Sequence, residues 1–133
     1  MAKAKVITEE KLRKKSLPFL LKLAQYKFNA FIRKRDENDL CISCGFVHPD
    51  YDAGHYVPQG SSSFLRFHED NCHKEGKGCN SFDKFHLVGY RKNLINKIGI
   101  ERVEWLEENR HNIKRWSKSE LIEIIKKYQC QDL

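Results

Sequence analysis

Apolar residues recur at helical spacing on both sides of a central stretch that has no such period. A first helix is predicted to begin at Thr8, with acidic residues in its first turn. Ser16-Leu17-Pro18 predicts a break and a restart, because proline is tolerated in a first turn. The polar run 36–39 predicts the end of the second helix. Its apolar stripe consists of Leu20, Leu21, Leu23, Ala24, Phe28, Phe31 and Ile32.

The helical period returns after the central stretch. Leu87, Tyr90, Leu94 and Ile98 form one stripe that Gly99 is placed to end. A shorter helix follows, with Ile100, Val103 and Leu106 on its apolar side. A capping box at Ser117-Lys118-Ser119-Glu120 predicts the start of a last helix, whose apolar residues are Leu121, Ile124, Ile125 and Tyr128.

Between Cys41 and Asn80 the chain reads CISCGFVHPDYDAGHYVPQGSSSFLRFHEDNCHKEGKGCN. Short strands are predicted at 46–48 and 54–57, and the alternation at 64–67 predicts a strand that returns after a loop. A span this rich in loops is uncommon inside a compact domain without an additional source of stability. Four of the five cysteines lie here, which suggests a metal ion.

Composition narrows the class of protein. The net charge is +7, but residues 40–80 carry only three Lys/Arg against five acids. A basic frame around a histidine-rich centre suits a protein that attracts a polyanion and holds a cation. No signal peptide or membrane-spanning run is visible, which predicts a cytoplasmic protein with no membrane partner. Thiols stay reduced there, so we interpret the cysteines as metal ligands, with Cys130 left over.

Cys41-x2-Cys44 is a knuckle whose two thiolates can bind one ion, and Cys79 is a natural third ligand. A structural zinc needs four ligands in a tetrahedron. Cys72 would give four thiolates, whereas the adjacent His73 would give three thiolates and one imidazole. We favour Cys72, because thiolates suit a closed structural site and this choice leaves His73 for another role.

A series of short motifs runs along the chain in a characteristic order. They are Phe28-Asn29, Phe31-Ile32-Arg33, Arg35-Asp36, Cys41-Ile42-Ser43-Cys44-Gly45, Asp52-Ala53-Gly54-His55-Tyr56, Arg66-Phe67, Asn71, His73, Cys79-Asn80 and Ile98-Gly99. This order resembles the HNH nucleases, and more closely the NinG (Rap) recombination endonucleases of lambdoid phages. In that family a cysteine usually stands at the position of Gly76, and a Gly-Asn pair at that of Phe85-His86.

The resemblance implies a metal-dependent, structure-specific endonuclease that cleaves D-loops and Holliday junctions in phage recombination. His55 is then the general base, and Asn71 fixes its ring through a hydrogen bond. The catalytic Mg²⁺ or Mn²⁺ has four candidate ligands, which are Asp52, His73, Asn80 and His86. Candidate phosphate contacts are Arg33, Arg35, Arg66, Lys74 and Lys77.

We therefore expect a mostly helical α+β protein with a small HNH-like ββα-metal core that a structural zinc staples. The predicted single domain divides into basic N-terminal helices (1–39), a nuclease core (40–98) and C-terminal helices (99–133). A phage recombinase is an expected partner. Trp105, Trp116 and the last helix could form a homodimer interface, or equally belong to the core. Two alternatives are a non-catalytic zinc module that binds DNA or RNA, and a zinc-stapled protein–protein adaptor.

Overall fold

The structure is a computed structural model that describes residues 6–82 and 85–129, without the side chain of Phe82. Cys130 therefore lies outside the described residues. The chain forms two compact units: one is the chain up to Phe31 together with the chain from Arg115 onward, and the other is Ile32–Lys114. The predicted division at residues 39 and 98 stays a prediction.

The first unit is helical and follows the predicted boundaries. Helix α1 spans Glu9–Arg13, and the Thr8 side chain accepts a hydrogen bond from Lys11 N at its start. Helix α2 spans Leu17–Arg35 and continues into the second unit. The capping box is complete, because Ser117 N donates to Glu120 and Glu120 N donates to Ser117, each at 3.1 Å. These two bonds open the last helix of the chain, Lys118–Gln129.

The apolar face of this last helix is buried within the first unit. Leu121, Ile125 and Tyr128 are almost inaccessible to solvent, and the Tyr128 ring meets Phe28 edge-on at 5.1 Å. The helix therefore contributes to a core, which was one of the two predicted roles for its apolar residues.

The second unit contains an antiparallel pair of strands followed directly by a helix. Strand β1 spans Tyr51–His55 and strand β2 spans Cys72–Gly76, with Asp52 opposite Glu75 and His55 opposite Cys72. The helices that follow are α3 (Lys77–Phe82), α4 (His86–Ile98) and α5 (Ile100–Glu108), so the last helix of the chain is α6. Gly99 separates α4 from α5 with φ of 92°, which favours glycine.

The core of this unit lies between the knuckle, the loop after β1 and helices α4 and α5. Tyr90 and Leu94 supply the α4 side, and Val103 and Leu106 supply the α5 side. Their periodicity is what made these helices predictable from the sequence. The remaining members of this core are Ile42, Val57 and Leu65.

The strand predictions were only partly right. Residues 51–55 overlap the predicted strand at 54–57, but no strand forms at 46–48. The predicted strand at 64–67 is wrong, since Ser63–Leu65 is a turn of 3-10 helix. Its alternation arises because Leu65 and Phe67 are both buried. The true partner of β1 is CHKEG, whose polar composition hides it from a search for apolar alternation.

A buried ion-pair network joins the end of α2 to β2 and α4. Asp36 is 2% exposed and accepts hydrogen bonds from Arg35 at 2.8 Å and from the backbone of Lys74. Lys97 Nζ lies 3.1 Å from the same carboxylate. Burial alone would raise the pKa of Asp36, but the two cations outweigh it and lower the pKa to about 2.

We expect Asp36→Asn to lower the free energy of unfolding by about 2 kcal/mol at pH 7. Because the folded-state pKa of Asp36 is depressed, its stabilisation is present above the unfolded-state pKa of about 3.9 and is lost as the pH falls toward about 2. Urea unfolding measured between pH 7 and pH 2 should therefore show the free energies of unfolding of the wild type and of Asp36→Asn converge as the pH falls. Glu37→Gln is the control, since its pair with Lys34 is exposed. A difference in the free energy of unfolding between wild type and Asp36→Asn that does not change with pH contradicts this prediction.

Candidate metal centre and neighbouring polar cluster

Four potential metal ligands converge beside the end of the strand pair. Ligand atoms of Cys41, Cys44, His48 and Cys79 all lie within 4.8 Å of one another. The knuckle turn brings the first two together, because Gly45 N donates to Cys41 O at 2.8 Å and Gly45 adopts φ of 76°. Helix α3 follows β2 without a loop and delivers Cys79 to the same place.

The spacing of these atoms fits a zinc ion. A tetrahedral zinc separates a sulfur ligand from a nitrogen ligand by about 3.5 Å, given bond lengths of about 2.3 and 2.0 Å. His48 Nε2 lies 3.0 Å from Cys44 Sγ and 3.6 Å from Cys79 Sγ. Three sulfurs and one imidazole are also the soft and borderline donors that zinc prefers in structural sites. The cluster can therefore hold a metal ion such as zinc.

The pKa shifts of the cysteine thiols are consistent with metal binding at this cluster. Burial would raise the pKa of Cys41, but backbone N–H groups of Gly76, Cys44 and Ser43 outweigh it and hold the pKa below its ordinary value. Burial, a hydrogen bond with Cys44 and the charge of Cys41 raise the pKa of Cys79 to about 12. Neighbouring thiolates repel one another, and a cation among them removes that repulsion.

A second polar cluster lies on one face of the strand pair. Paired residues of antiparallel strands share a face, so Asp52 and Glu75 point to the same side. Asn80 Nδ2 donates to Asp52 Oδ2 at 3.0 Å. His86 Nδ1 lies 2.7 Å from Glu75 Oε2, and the Ser43 hydroxyl donates to that same oxygen.

Glu75 is the unusual member of this cluster. It is fully buried, and its Oε1 has no hydrogen-bond partner among the residues that the structure describes. The carboxylate lies against Gly54, where any Cβ would overlap it. Buried carboxyl groups are costly unless their oxygens are hydrogen-bonded, and only one of the two Glu75 oxygens meets this condition among the described residues.

Comparison with known proteins places the whole chain in one family. Residues 2–132 match the family model described as "Bacteriophage Lambda NinG protein". The chain belongs to the NinG family. It is 45% identical over 120 residues to "Protein ninG" of Escherichia phage 933W, and the match covers 90% of this chain and 59% of that protein. The corresponding protein of Escherichia phage lambda is 43% identical, with 90% and 58% covered.

The chain thus spans about three fifths of the length of these NinG relatives. No solved structure matches it. Within residues 6–82 and 85–129, no helix is both long enough and apolar enough to cross a membrane.

The fourth ligand of the NinG-type knuckle was predicted wrongly. Cys72 lies at the far end of β2 from Gly76, about 13 Å along the strand, and its Sγ is 3.8 Å from His55 Nδ1. His48 takes the place instead. A Cβ added at Gly76 would overlap the His48 ring, so the imidazole fills the space of the cysteine that the family pattern implies at position 76.

His73 is also placed differently from the prediction, in which it could bind either ion. Its Nδ1 faces Arg35 and Lys97 at 3.1 and 2.9 Å, and its Nε2 lies 2.8 Å from the carbonyl oxygen of Asp70. Burial and the charge of Lys97 lower its pKa to about 4. Both ring nitrogens are engaged, so His73 serves the ion-pair network rather than a metal.

The side chain of Asn71 bonds the backbone of the loop after β1 and makes no hydrogen bond to His55 in the described structure. Its amide oxygen accepts from Val57 N at 2.8 Å, and its nitrogen donates to Val57 O and Leu65 O. Asn71 therefore pins the loop after β1. The His55 ring points to the face of Cys72, opposite that of Asp52, and its Nε2 lies 3.1 Å from Arg66 O. Burial lowers the pKa of His55. Its role as a base stays a prediction.

Of the five predicted phosphate contacts, two are bonded to carbonyl oxygens of the protein, and the other three are at least partly exposed. Arg35 is partly exposed but bonded within the protein, since its guanidinium donates to Asp36 and to the carbonyls of Glu69 and Cys72. Lys74 is held by the carbonyls of Glu37 and Asp39. Lys77 is exposed at the start of α3, Arg33 is half-buried, and burial lowers the pKa of Arg66.

Sequence reasoning missed three residues that the structure brings into these sites. His48 follows Cys44 by four residues, and the spacing C-x2-C-x3-H could have identified it. Glu75 and Ser43 left no comparable signal, because each is an ordinary polar residue until the fold buries it.

Proposed function

We propose that this NinG-family chain is a metal-dependent endonuclease that cleaves branched DNA intermediates of phage recombination. The nuclease activity, the substrate class and the partners all belong to the proposal. The family resemblance supports it, together with the order of two strands, a helix and a cysteine–histidine metal cluster.

One observation carries the proposal. The Asp52–Asn80 pair and the Glu75–His86 pair share one face of the strands, directly beside the cysteine cluster. Carboxylate and amide oxygens are donors that suit Mg²⁺ or Mn²⁺, and an imidazole is a ligand of transition-metal ions. Glu75 Oε1, which has no hydrogen-bond partner among the described residues, lies at the same face. Asp52, Asn80 and His86 are therefore the residues that we assign to a catalytic cation.

When bound, such a cation supplies charge stabilisation at the scissile phosphate and at the leaving oxygen. Asp52 and Asn80, whose contact is exposed to solvent, would hold it, and Lys77 is exposed at the start of the helix that carries Asn80. His55 accepts the proton of the attacking water in this proposal.

The test is cleavage of synthetic Holliday junction, D-loop, flap and linear duplex DNA by the zinc-loaded protein. We expect cleavage of branched substrates with Mg²⁺ or Mn²⁺, no cleavage with EDTA, and a loss of at least about tenfold in Asp52→Asn. His111→Ala is the control, because His111 is exposed and distant in sequence from both clusters.

Salt-sensitive DNA binding without cleavage under any of these conditions would instead identify a non-catalytic zinc module. Absence of DNA binding would leave the adaptor alternative. A phage recombinase partner and a homodimer stay predictions. Trp105, a proposed interface residue, is 40% exposed and packs against His68, with 4.9 Å between ring centroids.

A further inference from the structure

The buried carboxylate of Glu75 joins the cysteine knuckle to His86. Glu75 lies in β2, Ser43 lies between Cys41 and Cys44, and His86 opens α4. All three meet at one oxygen, Glu75 Oε2, which accepts from the Ser43 hydroxyl and lies 2.7 Å from His86 Nδ1. An ionised carboxylate only accepts hydrogen bonds, so a neutral His86 ring that faces one carries its hydrogen on Nδ1.

This hydrogen bond decides what His86 can do. With Nδ1 protonated, the lone pair of the neutral ring is on Nε2, and Nε2 can then bind a cation. The side chain of His86 is 19% exposed, whereas that of Glu75 is fully buried. A histidine that binds a metal commonly donates its other N–H to a carboxylate, which fixes both the tautomer and the orientation of the ring.

The surrounding backbone is built closely around this arrangement. Gly54 leaves the space that the Glu75 carboxylate occupies, and a Cβ at Gly89 would overlap the carbonyl oxygen of Ser43. Helix α4 therefore approaches the knuckle backbone closely. Asn93, one turn further along, donates to Ile42 O at 2.7 Å and holds the same two elements together.

We infer that Glu75 is a positioning residue that fixes the metal-binding tautomer of His86, and that Ser43 fixes Glu75 in turn. This inference rests on the proposed function, because it assigns His86 Nε2 to the proposed cation. It goes further by assigning roles to Glu75 and Ser43. It also gives the cysteine knuckle a second role: through Ser43, the knuckle supports the second metal site.

The experiment measures Mn²⁺ affinity of the zinc-loaded full chain by electron paramagnetic resonance, without DNA. Glu75→Leu keeps the volume but removes the acceptor, and we expect it to weaken Mn²⁺ binding by about 10- to 100-fold. Glu75→Gln retains an acceptor oxygen for Ser43 and His86, so its affinity should stay close to that of the wild type. Ser43→Ala should have an intermediate effect, with unchanged zinc content.

A second measurement reads the tautomer directly. Long-range ¹H–¹⁵N NMR of the imidazole should show His86 protonated at Nδ1 in the wild type and in Glu75→Gln, and a shift toward Nε2 protonation in Glu75→Leu. His111→Ala is the control: His111 is exposed and belongs to neither cluster, so this variant should leave the tautomer of His86 and the Mn²⁺ affinity unchanged.

Three results would overturn the inference: a wild-type His86 ring protonated at Nε2, an equal loss of Mn²⁺ affinity in Glu75→Gln and Glu75→Leu, or a loss of affinity in His111→Ala equal to that in Glu75→Leu. The second result would make Glu75 a direct ligand. Mn²⁺ binding that depends on Glu75 in a protein that cuts no DNA contradicts only the proposed function. Cleavage with Mn²⁺ affinity independent of Glu75 contradicts only the inference.

Discussion

Replacing His48 with alanine is expected to weaken binding of the structural metal about a hundredfold, so that a competing chelator removes the metal. The cluster then has three thiolates and no fourth protein ligand among the described residues. A structural zinc contributes about 10–16 kcal/mol of binding free energy, so loss of one of four ligands should cost on the order of 3 kcal/mol, about a hundredfold in affinity. Zinc content after dialysis against a competing chelator measures the loss, and thermal unfolding should show lower stability.

The zinc content lost in His48→Ala should be restored by Gly76→Cys, although Gly76→Cys alone should lower zinc content. A Cβ at position 76 overlaps the His48 ring, so Gly76→Cys alone forces the imidazole out of its place. In His48→Ala/Gly76→Cys the vacated space accepts the new side chain, and the introduced thiol joins Cys41, Cys44 and Cys79 to complete four thiolates. We therefore expect zinc content to fall in each single variant and to return in the double variant.

Gly78→Cys is the control for this pair, because position 78 faces open space and a thiol there gains no ligand position. In the background of His48→Ala it should restore nothing. Full zinc content in His48→Ala, or no recovery in the double variant, contradicts the assignment of His48 as the fourth ligand. Cys72→Ala should leave zinc content unchanged, since Cys72 lies beside His55 at the other end of β2.

The helices were predictable because their signals are local. The signals for the helix ends lie within a few residues of those ends, at Thr8, in the Ser117–Glu120 capping box and at Gly99. The apolar stripes are visible in the sequence because each helix has one buried face and one face exposed to solvent. The fold class was therefore confirmed as mostly helical α+β with a two-stranded sheet. The HNH-like character of the core belongs to the proposal.

The strands and the fourth metal ligand depend on contacts that sequence spacing does not contain. Strand β2 has no apolar pattern, because His73 and Glu75 serve buried polar networks that only the fold assembles. Cys72 was favoured on chemical grounds, yet the direction of a strand places it far from Gly76. His48 gained its role from a space that glycine leaves at position 76, and that space appears only when the knuckle packs against β2.

Arg35 shows the same limit for charged side chains. Its position beside Arg33, just before the knuckle, suggested phosphate contact, but four acceptors of the protein surround its guanidinium. Five donors in a fixed fork suit such a clamp. An arginine at the end of an amphipathic helix can serve either purpose, and only the partners across the fold decide between them.

His55→Ala is expected to lower the rate of branched-DNA cleavage by about 10²- to 10⁴-fold, the usual cost of removing a general base. Zinc content should not change, because His55 is not among the four clustered ligands. His55 is partly buried and its Nε2 lies 3.1 Å from Arg66 O, so His55→Gln serves as a second variant that preserves size and a hydrogen-bond donor. Single-turnover cleavage of junction DNA at saturating protein measures the rate of the chemical step.

The comparison with His86→Asn makes this test decisive. Asparagine is the residue that the family pattern implies at position 86, and it keeps a cation-binding oxygen while it removes the imidazole. If His55 accepts the proton, His86→Asn retains most of the cleavage rate and both His55 variants lose it. If the His55 variants cleave like the wild type while His86→Asn does not, the base is on the face of Asp52 and Glu75, and the assignment of His55 is wrong.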